Sequence, residues 1–552
     1  MGKEAAASAE ELTHHDAESP EGLVRSTAAM AVGTALSRIT GFLRVAAMAF
    51  ALGVAETRLA DSYNVANNIP NIVYELILGG ILTSVFVPVF VRQLQRRSRD
   101  EAWHSANAVM TITVVVLGVL TVVGVLAAPW IVRLYTFRID EPQRAQVQEL
   151  ATFFLRFFMP QIALYGIGAV ATGLLNAHRR FAAPMFAPIL NNVLVIATFL
   201  VFSMMPGDPT QGPGGITFAQ KLVLAVGTSL GVAAMTLVLW PSLRRIGFRF
   251  RWRLDRGNEA VRQLVSLSGW AVLYVMTNQV GLLVVIVLAG GVQGGYTAYQ
   301  AAFIFFQLPY AIFSVSIMTA LLPSLSADWD AGRRPDFRKD LARGVRASAF
   351  VVVPAAAGYL VLAGPIVRLL LEHGVAGPES TELVSSVLRF FSIGLFSFSA
   401  FLLFLRAFYA MNDTRTPALI NVGAVAVNTA VNLALFPVLG VRGLALGHAV
   451  AYTFAAVVAA VILRRRVGGL EGASIARGMT RIVIAAALTA AAAWGTAHVL
   501  GDVVGTATFL EQVVQVGGGV LVGLVTFVAA ALVLRIEEFE LVKRTLTARL
   551  RR

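Results

Sequence analysis

From residue 26 to residue 534 the chain is a succession of apolar runs, each ended by charged residues or by Gly and Pro. A hydrocarbon core about 30 Å thick takes roughly 20 helical residues to cross. With no water there, every backbone polar group must be satisfied inside its own segment, so a chain of this kind has to be a bundle of helices. The runs fall at 26–52, 62–91, 105–132, 151–174, 183–204, 216–240, 263–290, 298–324, 345–371, 382–409, 417–438, 442–463, 478–499 and 511–534, which predicts fourteen spans. Composition agrees, since only 14% of the 552 residues are charged, against about 25% in soluble domains. The expected fold class is an all-α polytopic membrane protein.

A net charge of +14 would suggest nucleic acid for a soluble protein, but excess Lys and Arg in a membrane protein collects in cytoplasmic loops. With the N-terminus placed inside, the tail and the loops after even-numbered spans hold 34 of the 45 basic residues. The opposite loops hold only Arg58, Arg133, Arg138, Arg144, Lys221, Arg368 and Arg442. Both termini are therefore expected in the cytoplasm. The first 22 residues have no apolar core and read as a disordered tail, not as a signal peptide.

An internal repeat appears at a shift of about 237 residues: Val24-Arg25 falls on Val261-Arg262, and "VAAMAFALG" (45–53) on "LLVVIVLAG" (282–290). A second pair, "NIPNIVYELILGGILTSVFVPVF" (68–90) and "QLPYAIFSVSIMTALLPSL" (307–325), opens and closes on proline in both copies. A shift of six spans makes the repeat parallel. The expected organisation is a tail at 1–23, a six-helix lobe at 24–243, a basic cytoplasmic linker at 244–262, a pseudo-symmetric six-helix lobe at 263–466, and two further helices with a basic tail at 467–552.

Polar residues inside the runs mark candidate sites. A charge at the bilayer centre costs on the order of 2.5–3.5 kcal/mol even on the gentler scales, so it faces a cavity, finds a partner or snorkels to an interface. Arg38 and Arg44 lie well inside the first span, and Arg38 is the harder to explain by snorkelling. In the second span Asn64, Asn67, Asn68, Asn71 and Glu75 recur at spacings of three and four and so share one polar stripe. That stripe suits a cavity wall or interhelical hydrogen bonding. Asp61, at the external mouth, reads as solvated or as a cap. Farther on the polar groups are neutral: Tyr274, Asn278, Gln279, Tyr299, Gln300 and Gln307, then Asn428 and Asn432 on one helix face, where either packing or carbonyl ligation of a cation would fit. Arg156 and Arg389, in the fourth and tenth spans, are interfacial or cavity-lining.

Several function classes are excluded. There is no phosphate-cradling loop ending in Lys-Ser/Thr, no Cys, and the seven His are scattered, so no metal or other cofactor is expected. No nucleophile and base fall together within the membrane, which excludes an intramembrane enzyme. Transport is the class that remains.

Motifs along residues 24–540 resemble the MurJ (MviN) family of lipid II flippases, within the multidrug/oligosaccharidyl-lipid/polysaccharide exporter superfamily. They are "SRITGFLR" (37–44) with "ALG" (51–53), "NIPN" (68–71), "FVPVF" (86–90), "LNAHRRFAAPMFAPILNN" (175–192), "LLPSLS" (321–326) and "RAFYAMNDTRTP" (406–417). The resemblance implies two lobes around a V-shaped cavity in the bacterial cytoplasmic membrane. It also implies alternating access, which carries the undecaprenyl-pyrophosphate-linked peptidoglycan precursor to the outer leaflet. It puts Arg38 and Arg44 at positions thought to engage the pyrophosphate and the last two helices at a groove for the lipid tail. Implied partners are lipid II, membrane lipids and cell-wall synthesis proteins, with no nucleic acid. The sequence departs from the family pattern at Val45, at Tyr74 beside Glu75, and at Ile304, where relatives often carry charge. With Asn428 and Asn432 where some members have acids for sodium, membrane potential is the expected drive. Other readings in view are a flippase for another polyprenyl-linked oligosaccharide, a non-transporting scaffold for cell-wall enzymes, and a drug/cation antiporter, which would want more intramembrane acids.

Overall fold

The computed structural model describes residues 20–75, 99–178, 180–255 and 269–540. The expected N-terminal tail up to residue 19, the "FVPVF" motif, the end of the basic linker and the final basic tail lie outside the described residues. Among those described the chain is helical throughout, with no strand. The N-terminal half contains α1 (Pro20–Leu52), α2 (Leu59–Glu75), α3 (Arg99–Thr136), α4 (Gln143–Phe158), α5 (Gln161–Ala177), α6 (Ala182–Ser203), α7 (Phe218–Leu237) and the short α8 (Trp240–Arg245). The C-terminal half contains α9 (Gly269–Ala289), α10 (Gly295–Pro309), α11 (Val315–Asp330), α12 (Arg334–Leu371), α13 (Pro378–Ile393), α14 (Leu395–Ala410), α15 (Arg415–Leu439) and α16 (Val441–Val467). Two more helices follow, α17 (Gly472–Val504) and α18 (Phe509–Val533).

Eleven of the described helical stretches are long and apolar enough to cross a bilayer, or twelve when the bent pair α13–α14 counts as one span. The expected fourteen would require α1 and α2 as well, and α2 ends at Glu75, where the described residues stop. Large apolar side chains stand exposed along whole helix faces, such as Val119, Val122, Val123, Leu126 and Trp130 on α3. In water such a face would drive aggregation, and in a bilayer it is the solvated side.

Inside, aromatic rings set the packing of the N-terminal half. Tyr63 of α2 makes edge-to-face contacts with Phe154 and Phe158 of α4 and Phe199 of α6, and its hydroxyl pairs with Thr228 of α7 at 2.9 Å. The terminal pair joins by small residues, with Gly519 and Gly523 of α18 lying on Ala493 and Ala497 of α17, as close helix approach in lipid requires. Arg346 of α12 anchors the pair at one end: it donates to Glu538 at 2.7 Å and to Ser474 at the start of α17.

Among the described residues two spans are broken. The fourth, α4–α5, is interrupted at Met159-Pro160, and the tenth, α13–α14, bends by 50° at Gly394. Each break follows the same four residues, Leu-Arg-Phe-Phe at 155–158 and 388–391, a repeat 233 residues apart. Proline explains the first break, since it supplies no N–H to the ladder. At the second, the bent chain packs so closely on α16 that only glycine fits, since a Cβ on Gly394 would stand 2.6 Å from the Cα of Ala449. A Gly394→Ala variant should therefore lose about 1–3 kcal/mol of stability and melt at a lower temperature. Gly118→Ala, at a position inside α3 where nothing lies within 4 Å, should melt no lower than the parent.

Candidate functional site

α1, α2, α5, α6 and α10 surround a cavity of about 790 Å3. Arg38 and Arg44 both line it, with Tyr74 of α2, Asn176 of α5, Asn192 of α6, and Ile304 and Gln307 of α10. Arg38 is exposed and Arg44 half-buried. α1 can turn two arginines toward one hollow because its neighbours hold it from the sides. Asn192 donates to the Ser37 carbonyl at 3.3 Å and to Thr40 Oγ1 at 3.1 Å. Phe42 packs edge-on against Phe305 of α10, ring centroids 5.1 Å apart.

Arg44 and Ile304 also line a narrower extension of this hollow, deeper between the helices. Its wall takes Asn64, Asn67 and Asn71 of α2, Asn191 of α6, and Thr297 and Gln300 of α10. The α2 stripe expected from the sequence is thus divided. Asn64, Asn67 and Asn71 reach the hollow, whereas Asn68 is buried with its Nδ2 lacking a hydrogen-bond partner among the described residues. Tyr74 lines the larger cavity and packs on Tyr165 at 4.5 Å. Glu75 is exposed and accepts from Gln279 Nε2 of α9 at 2.8 Å.

The other candidates lie apart. Asn278 hydrogen-bonds Tyr274, and Asn432 donates to Asn428 Oδ1 at 3.0 Å while fully buried against Gly447. None of the three lines the hollow. Arg156 is exposed on α4, and Arg389 lines a different cavity.

The hollow is sealed at the end where α1 passes into α2. Glu56, in the loop between them, accepts from Gly377 N at 2.7 Å and from Ser380 Oγ at 2.6 Å, at the start of α13. Arg58 donates to the Gly290 carbonyl at 2.8 Å, and Gln293 to the carbonyls of Ala55 and Glu56, each at 3.0 Å. Asp61 accepts from Gly294 N at 2.9 Å, Thr297 N at 3.0 Å and Thr297 Oγ1 at 2.7 Å, and Asn64 donates to the same Thr297 oxygen at 3.1 Å. Asp61 is only 5% exposed, which corrects the expectation of a solvated residue. It is a cap, but of α10, a helix from the other half of the chain, whose first N–H groups have no partner of their own. The turn that delivers Glu56 needs Gly53, at φ +72°, where a Cβ would meet Glu56 Oε2 at 2.7 Å. Spacing along the sequence gave no sign of this seal, because the bonds that join the two halves there link residues more than 230 positions apart.

A family model described as lipid II flippase MurJ matches residues 48–515. The chain belongs to the MurJ family. A MurJ-family relative from Rhizobium meliloti, named "Probable lipid II flippase MurJ", is 32% identical over 477 residues, covering 85% of this chain and 86% of its own length. Among solved structures, "Lipid II flippase MurJ, inward closed conformation" superposes with a TM-score of 0.74 at 19% identity, over 92% of this chain and 98% of that one. An inward-facing multidrug transporter of the MATE family matches with a TM-score of 0.59 at 15% identity, over 80% and 94%. These two likenesses establish the shared fold. The MurJ-family chain is thus a multi-pass membrane transporter.

Glu56 lies outside the spans, and its charge is tuned by the seal. Burial pushes its carboxyl up, but hydrogen bonds from Ser380, Gly377 and Val54 outweigh burial and hold it below its ordinary value. A group with a lowered pKa stabilises the closed form at neutral pH and ceases to do so as pH falls through that lowered value. Spin labels on Ala145→Cys and Glu379→Cys, in a chain with no native Cys, should therefore show longer distances on acidification. Glu56→Gln should show them already at neutral pH. Unchanged distance distributions in both experiments would sink the assignment.

Proposed function

We propose that this protein moves lipid II from the inner to the outer leaflet of the bacterial cytoplasmic membrane by alternating access. The carrying observation is that Arg38 and Arg44 line one hollow that is sealed, at the end where α1 passes into α2, by hydrogen bonds between the two halves of the chain. In this reading the pyrophosphate sits between the two guanidinia, whose forked donors match its oxygens. Asn176, Asn192, Gln307 and Tyr74 then surround the sugar and peptide. The polyprenyl chain stays in lipid and enters sideways. The seal at Glu56, Arg58 and Asp61 is the external gate in this reading, and the closed form loads from the cytoplasm.

With Val45, Tyr74 and Ile304 uncharged, Arg38 and Arg44 carry most of the anion binding. In host cells depleted of the native protein, Arg44→Ala should lower outer-leaflet lipid II by about tenfold or more, the scale of a lost charge-assisted hydrogen bond. Arg38→Ala should act in the same direction. Full rescue by both variants at normal protein level refutes the pyrophosphate role, and build-up of a different lipid-linked sugar on depletion refutes the substrate.

The basic loops orient the chain with both termini in the cytoplasm. Glu141, which is exposed between α3 and α4, then faces outward. Glu141→Cys should react with an impermeant thiol reagent on intact cells, and labelling only after permeabilisation reverses the orientation.

A further inference from the structure

Outside the central hollow, at the sealed end, α12, α13 and α16 enclose a second cavity of about 400 Å3. Three guanidinia line it: Arg368, Arg389 and Arg442. Two have a carboxylate nearby at long range, with Arg368 Nε 3.7 Å from Glu372 and Arg442 Nη2 3.7 Å from Glu382. The Glu382 side chain is itself 81% exposed. Arg389 has neither an ion pair nor a side-chain hydrogen bond among the described residues. Three cations thus face two acids, and the one without a partner, itself exposed, lies farthest from its helix end.

Its depth can be read from the helices. Arg389 is eleven residues into α13, roughly 16 Å along the axis from Pro378. A methyl group on Gly364 of α12 would stand 3.5 Å from Arg389 Nη2, and Gly364 lies seven residues, roughly 10 Å, before the end of α12. One turn deeper on the same faces, Leu360 and Ile393 are exposed at 43% and 56%. The cavity therefore carries its cations between the helix ends and a strip of exposed apolar side chains one turn farther in.

We propose that this cavity binds the phosphate of an anionic glycerophospholipid, with Arg389 as the principal contact and the acyl chains lying on Leu360 and Ile393. Charge selects the headgroup, because an unpaired guanidinium keeps its charge and has to be met there by an anion or by water, and its fork fits phosphate oxygens in two places. The apolar strip selects a lipid over a free ion. The orientation proposed above makes this an outer-leaflet site, but binding itself does not depend on it. Gly377 and Ser380, which hold Glu56, stand at the start of the same α13, so the bound headgroup is a neighbour of the seal.

The test is native mass spectrometry of the purified full chain in detergent, with phosphatidylglycerol, phosphatidylcholine or inorganic phosphate added. The parent should retain phosphatidylglycerol over phosphatidylcholine. Arg389→Gln should weaken that retention about tenfold, and Arg442→Gln less, while Arg465→Gln, at the opposite end of α16, should match the parent. Equal retention by the parent, Arg389→Gln and Arg442→Gln overturns the proposal, as does an equal loss in Arg465→Gln. Displacement of phosphatidylglycerol by millimolar inorganic phosphate would assign the cavity to the free ion and overturn its assignment to lipid. Because binding is the readout, failure here leaves the proposed flipping untouched, and failed flipping leaves this result standing.

Discussion

A guanidinium cannot lose its charge inside a protein, so a helix that carries two of them into a bilayer has to border something wet. That constraint organises the N-terminal half of this chain. α1 meets it by turning Arg38 and Arg44 toward a hollow, and the surrounding helices are held off by groups that can tolerate one: Asn176, Asn192 and Gln307 in place of leucines. The rest of the half is packed tightly by Phe and Tyr rings around Tyr63. A rigid aromatic wall on one side and a polar hollow on the other is what separates the lining of a path from a helix bundle that merely fills space.

The helical architecture was legible because hydrocarbon imposes a length and a polarity on each segment, and both are properties of consecutive residues. The broken spans were partly legible: Pro160 announces one, but Gly394 acts through its fit against Ala449, which lies 55 positions away. Arg38 and Arg44 were legible as misplaced charges. The α2 stripe was legible as a polar face, though three- and four-residue spacing cannot say which of its members meets the hollow. Asn68 is buried while Asn67 lines the cavity, a difference set by what each packs against.

What the sequence hides is long-range pairing. Asp61 looks like an ordinary acid near a helix start, and Thr297 like an ordinary threonine 236 residues later. Only the fold puts the carboxylate onto a helix end that has no cap of its own. The same holds for the three arginines at α12, α13 and α16, two of which read from the sequence as external loop charges.

The seal has a property that follows from where it is built. Its partners are mostly loop carbonyls and amides at a water-facing end, and each bond broken there can be replaced by one to solvent. The net worth of such a bond is only about 0.5–1.5 kcal/mol, because water takes the place of each lost partner. The same bonds placed at mid-bilayer would have no replacement and would freeze the molecule in one shape. A transporter that must reopen what it has shut is well served by a catch made where water can take over its load.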